Sequence, residues 1–153
     1  RLESNNKNFK IIKELVRSKI PVMGHIGYTP QFKKKFKIEG DTVKKAKNLL
    51  KEALQIEKAG AFSIVLECIT SKTSELITTN LKIPTIGIGS SNYCDGQILV
   101  TDDMIGLSGF YPKFVKKYAS IERVIEKAVK KYTREVKYNK FPSKKNFLNG
   151  SKY

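Results

Sequence analysis

The stretch Phe62-Ser63-Ile64-Val65-Leu66-Glu67-Cys68-Ile69 is a short apolar run, rich in β-branched residues, with one carboxylate near its end. It follows a helix-like segment closed by Ala59-Gly60, and turn and helix signals come soon after it. A run of this length and make-up reads as a strand buried on both faces, as strands of parallel sheets are. In barrels and open α/β sheets, chemistry gathers where strands end, at their C-terminal edge. Glu67 stands at such an end, and buried carboxylates are rare unless partnered. It is therefore a candidate functional residue, with a solvated or lysine-paired glutamate as the plain alternative.

Working outward, the same grammar repeats. Ile20-Pro21-Val22-Met23-Gly24-His25-Ile26-Gly27 is a second apolar strand, ending in a histidine between glycines and the turn Tyr28-Thr29-Pro30-Gln31. Pro84-Thr85-Ile86-Gly87-Ile88-Gly89 is a third, and Gln97-Ile98-Leu99-Val100 follows the turn Asp95-Gly96. Arg1-Leu2-Glu3 looks like the tail of another strand. Between them, Phe9, Ile12, Leu15 and Val16 recur at helical spacing. A longer helix runs from a cap at Asp41 or Thr42 through Val43, Ala46, Leu49, Leu50, Ala53 and Ile56 to a stop at Gly60. Ser71-Lys72-Thr73-Ser74-Glu75 has capping-box character. A short helix can start at Asp102-Asp103, and a helical tail begins at Phe114-Val115 and is renewed at Ser120.

Strands alternating with helices mean βαβ units and a parallel sheet. A trailing strand end plus four strands is about half of a (β/α)8 barrel, whose usual length is about 250 residues. The expected organisation is one α/β domain, the C-terminal part of a barrel over residues 1–138, with a polar tail over 139–153. A half barrel leaves two open sheet edges, so the remaining strands are expected from a larger protein.

Composition narrows the function classes. The 153 residues are 40% hydrophobic and carry a net charge of +16. No run is long and apolar enough for a membrane span, and no leader resembles a signal peptide. Cys68 and Cys94 make no metal spacing and read as reduced thiols of a cytoplasmic protein. A domain this basic can bind nucleic acid, but arginine occurs only at Arg1, Arg17, Arg123 and Arg134. Phosphate and base recognition favours arginine's bidentate fork. Apart from Lys33-Lys34-Lys35-Phe36-Lys37 the lysines are scattered. A solvated lysine-rich surface is the expected reading, without a nucleic-acid or membrane partner.

Several longer motifs then fall into one register. Pro21-Val22-Met23-Gly24-His25-Ile26-Gly27-Tyr28-Thr29-Pro30-Gln31 resembles the PV-GH-G-TPQ motif of the ketopantoate hydroxymethyltransferase family. So do Ala59 to Ile69, Ile83 to Gly89, Asp95 to Val100 and Pro112-Lys113-Phe114, in the family's order. The resemblance covers nearly the whole chain. It implies a (β/α)8 barrel that moves a one-carbon unit from 5,10-methylenetetrahydrofolate to 3-methyl-2-oxobutanoate, giving 2-dehydropantoate for pantothenate biosynthesis. It further implies Mg²⁺ as cofactor, the 2-oxo acid and the folate as small-molecule partners, and a homo-oligomer. Glu67 falls on the family's catalytic base, which removes the C3 proton. Glu3 falls on a glutamate that supports the metal, Arg1 stands where a substrate-binding lysine is usual, and His25 matches a histidine at the mouth of the same pocket.

The chemistry suits those assignments. Removing a carbon-bound proton needs a base and a place for the enolate charge, which metal chelation provides. Hard Mg²⁺ prefers carboxylate oxygens. His25 is expected to line or orient rather than exchange protons. Tyr93 and Phe110 are expected to pack, and Gly87, Gly89, Ser90 and Ser91 either cradle an anion or simply turn the chain. This sequence departs from the family at Ser90-Ser91, at Arg1 and in a shorter, lysine-rich loop after Gln31. The aspartates that complete the family's metal site belong to strands upstream of those seen here. Two other readings stand beside the transferase: another Mg²⁺-dependent 2-oxo-acid lyase or mutase of the same barrel type, and a non-catalytic lysine-rich binding module.

Overall fold

Five short parallel strands lie side by side in chain order, the first four joined by helices and the last two by a turn. The computed structural model describes residues 2–3, 8–29 and 37–148, with side chains for all of these except residues 2, 3 and 8. They form two compact units, Arg1–Leu99 and Val100–Tyr153.

In the first unit the order is β1 (Leu2–Glu3), α1 (Asn8–Arg17), β2 (Met23–Gly27), α2 (Val43–Lys58), β3 (Ser63–Glu67), α3 (Ser71–Asn80), β4 (Thr85–Ile88) and β5 (Gly96–Gln97). The central strands are buried along nearly their whole length, which is why their sequences read as continuous apolar runs rather than alternating ones. Register is fixed from Met23 opposite Ser63 to Gly27 opposite Glu67. The α2 residues Leu49, Ala53 and Ile56 form one buried stripe at helical spacing. They meet Ile12 of α1 and the strand residues Ile26, Ile64 and Leu66 in the core. Each such aliphatic side chain contributes about 1.5–3 kcal/mol by leaving water. Gly24 is glycine because Ile56 occupies the space a Cβ would take.

Helix ends follow the sequence in part. Thr42 caps α2 through its hydroxyl, which accepts from the Lys45 amide, and Gly60 stops it in the left-handed region at φ +97°. The capping box expected at Ser71 does not form. Thr70 precedes α3 without a side-chain cap; its hydroxyl donates to the Gly40 carbonyl (2.9 Å), where that of Thr73 also arrives (2.8 Å). Carboxylates tie two of the turns. Glu57 accepts from the amides of Lys82 and Ile83 ahead of β4, and Asp95 accepts from both the amide and hydroxyl of Thr85 (2.8 and 2.9 Å). The last strand is shorter than expected: pairing ends at Gln97, and Val100 already precedes a helix.

That helix, α4 (Thr101–Ile105), opens the second unit and ends on Gly106 at φ +78°. The helical tail expected from Phe114 begins only at α5 (Ile121–Lys137). Val115 instead closes a turn onto the Pro112 carbonyl, and the Tyr118 and Ala119 amides both donate to Met104 at the end of α4. Those bonds satisfy the backbone that a helix would otherwise need. Val124, Ile125, Val129, Tyr132 and Val136 give α5 an apolar face that stays exposed.

The exit from β3 is the tightest part of the sheet. Gly27 adopts φ +98°, and a Cβ there would collide with the Glu67 carbonyl oxygen and with Ile69. Cys68 lies at φ +53° without being glycine, an uncommon conformation that persists only where the surroundings impose it. Its buried thiol is pushed up to about 11, mainly by burial and secondarily by the charge of Glu67. Gly27→Ala is expected to lose more than about 2 kcal/mol in denaturant unfolding. Gly109→Ala, where φ is +74° but the space is open, should lose only about 1 kcal/mol. At pH 8 only about one Cys68 thiol in a thousand is ionised. Alkylation followed by mass spectrometry should therefore find Cys68 nearly inert at pH 8, its rate climbing about tenfold per pH unit toward pH 11.

Candidate active site

β2 and β3 deliver the two side chains that matter most. His25 is at the centre of β2 and fully buried. Glu67 is the last residue of β3, two positions further along the sheet in register. Residues two apart on a strand, and residues paired across neighbouring strands, share a face, so both side chains point to one side of the sheet. There the His25 Nε2 lies 3.0 Å from the Glu67 Oε2. The Glu67 side chain keeps 13% of its exposure while the imidazole has none. A buried ring thus holds a carboxylate whose oxygens reach the sheet's C-terminal edge. That arrangement fixes the carboxylate's orientation and leaves it accessible to a small molecule, as a general base requires.

The backbone around Glu67 is equally constrained. Its carbonyl accepts from the Tyr28 amide (2.8 Å). The Cys68 amide donates to Ile88 of β4 (2.9 Å), and the Cys68 carbonyl accepts from Glu39 (2.8 Å). An isolated bridge joins Glu39 to Ile69. Ser90, just past β4, places its hydroxyl 2.6 Å from the Leu66 carbonyl and 3.3 Å from the Ile69 amide.

The other expected site residues are placed less completely. Glu3 stands on β1 at the register position of His25, so β1, β2 and β3 bring Glu3, His25 and Glu67 onto three consecutive strands. Arg1 lies outside the described residues. Among the described residues no three His, Cys, Asp or Glu side chains gather as a metal-binding group, and the Glu3 side chain lies outside the described ones. In the turn after β4 the serine hydroxyls are engaged within the protein. The Ser90 hydroxyl is engaged as above, and that of Ser91 faces Ser71 at 3.1 Å. Gly89, at φ +59°, serves the turn. Tyr93 and Phe110, expected to pack, are exposed. Ser90 was not separable from its neighbours in the sequence, because the bonds it makes are to residues 21 and 24 positions away.

Residues 1–144 match the family described as ketopantoate hydroxymethyltransferase. A 3-methyl-2-oxobutanoate hydroxymethyltransferase from Pelagibacter ubique is 48% identical over 145 residues, covering 95% of this chain and 56% of that protein. One from Francisella tularensis subsp. novicida is 51% identical over 148 residues, covering 94% and 56%. One from Clostridium beijerinckii is 53% identical over 138 residues, covering 88% and 50%. The chain spans about half the length of the curated relatives it matches. With a family match across nearly all of its length, the chain belongs to the ketopantoate hydroxymethyltransferase family.

Proposed function

We propose that the full-length protein carrying this chain transfers a hydroxymethyl group from 5,10-methylenetetrahydrofolate to 3-methyl-2-oxobutanoate, giving 2-dehydropantoate. The observation that carries this reading is the His25–Glu67 pair at the C-terminal edge of a parallel sheet. Glu67 takes the proton from C3 of the oxo acid. The C–H bond breaks and its electron pair passes into the enolate, whose C3 then bonds to the folate-borne methylene carbon. The two C–N bonds of that methylene break in turn, their electron pairs returning to the folate nitrogens, and water supplies the hydroxyl oxygen of the product. The His25 Nε2–H donates a hydrogen bond to Glu67 Oε2 and orients the carboxylate that receives the substrate proton.

The fold supports the same reading. Strands in the order β1-β2-β3-β4-β5, all parallel and with helices linking the first four, resemble what the second half of a (β/α)8 barrel presents, from the end of its fourth strand to its eighth. In such a barrel the active site collects at the strand ends where Glu67 sits. The remaining strands would come from the rest of the full-length protein, together with the further carboxylates that a Mg²⁺ site needs beside Glu3. Arg1 would contact the oxo acid. Assembly into a homo-oligomer belongs to this proposal as well.

The test is deuterium exchange at C3 of 3-methyl-2-oxobutanoate, followed by proton NMR in D₂O with the full-length protein and Mg²⁺. The C3 signal should disappear with the wild-type protein. Glu67→Gln, which keeps the side chain's size, should slow exchange by about 10²–10⁴-fold, the usual contribution of a positioned base. Undiminished exchange by that variant would remove Glu67 from its role. Product formation from methylenetetrahydrofolate separates this transferase from another 2-oxo-acid enzyme that enolises the same substrate.

A further inference from the structure

Ser90 marks where this sequence departs from the family's turn, and its surroundings give that departure a use. β4 ends at Ile88, and Gly89, in the left-handed region, reverses the chain so that Ser90 lies over the end of β3. The hydroxyl donates to the Leu66 carbonyl at 2.6 Å and accepts from the Ile69 amide at 3.3 Å. Those two groups bracket Glu67 and Cys68, so one hydroxyl spans the peptide that carries the base. The span is needed. Cys68 is non-glycine in the left-handed region, and such a conformation relaxes unless its neighbours hold it. Ile69 is buried, and its amide would lose this partner if the hydroxyl were absent.

Ser90 is itself fixed from the far side. The Ser91 hydroxyl pairs with Ser71 at the start of α3, and the Gln97 side-chain amide donates to the Ser91 carbonyl at 2.7 Å. The brace therefore runs from β5 and α3, through the turn after β4, to the backbone on both sides of Glu67. A swing of the Leu66–Ile69 segment by a few tenths of an ångström would lengthen the contact between the carboxylate and His25, and catalytic groups lose rate steeply when misplaced.

We propose that Ser90 is a positioning residue for Glu67, its hydroxyl bridging Leu66 and Ile69 so that the carboxylate stays seated against His25. The inference rests on Glu67 acting as the base. It is tested in the full-length protein with Ser90→Ala, Ser90→Thr and wild type compared in C3 exchange and by the downfield side-chain N–H resonance of His25, assigned by its loss in His25→Asn. Ser90→Ala should lower kcat for exchange about three- to tenfold, the scale of one hydrogen bond, with the KM for the oxo acid unchanged. Its His25 resonance should move or broaden. Ser90→Thr, which keeps the hydroxyl, should restore most of both. A merely structural serine would lower thermal stability and leave the resonance in place. An unmoved resonance in Ser90→Ala overturns the proposal, and so does an unchanged kcat in a protein that exchanges. If the wild-type protein does not exchange at all, the enzyme reading fails and the His25 resonance alone decides Ser90.

Discussion

A hydrogen bond from a fully buried imidazole to a carboxylate at a strand end is the contact around which the first unit is arranged. Such a ring sits in a core only if its polar atoms are satisfied, since an unpaired buried donor costs about 1–3 kcal/mol. Glu67 satisfies one of them, but only if β2 and β3 are adjacent, parallel and in one register. A slip by one residue would send the two side chains to opposite faces. The flanking apolar residues enforce that register from within the core, and Gly24 and Gly27 let α2 and the β3 backbone come close enough for it to hold.

Legibility in the sequence followed the range of the forces involved. Long apolar runs and helical periodicity are local, and they placed every strand and all but one helix start within a few residues. Glu67 was legible for the same reason: a carboxylate that terminates a buried run is a local anomaly. His25 was legible as a position, through its glycine neighbours and its motif, but its full burial and its bond to Glu67 depend on strand pairing 42 residues apart in sequence. Cys68 in the left-handed region left no trace, because only the packed sheet end holds a non-glycine residue there. The capping box at Ser71 did not form: Ser71 is already the first residue of α3, and its hydroxyl pairs with Ser91, 20 positions away. The segment after Tyr111 failed for a similar reason, its amides being taken by Met104.

Charge played a smaller part than its size invites. The described ion pairs beyond His25–Glu67 are exposed lysine–carboxylate contacts four residues apart on or beside helices, such as Lys45 with Asp41 and Lys131 with Glu135. Pairs of that kind contribute about 0.3–0.5 kcal/mol each. The core is instead held by apolar packing, and the turns and the site by partly buried hydrogen bonds from serine and threonine hydroxyls and to the Glu57, Glu67 and Asp95 carboxylates.

The two carbonyls on either side of the Glu67–Cys68 link have a consequence for change over time. Tyr28 donates to the first and Glu39 to the second, so both ends of the connection between β2 and the start of α2 are clamped to the peptide that carries the carboxylate. The end-to-end distance of that connection is set by the sheet and not by its own length. Doubling the number of residues between two fixed points costs only about 0.6 kcal/mol in closure entropy. Insertions and deletions within the connection are thus insulated from the geometry at the strand ends. Substitutions within the connection can therefore change its chemistry without re-aiming Glu67.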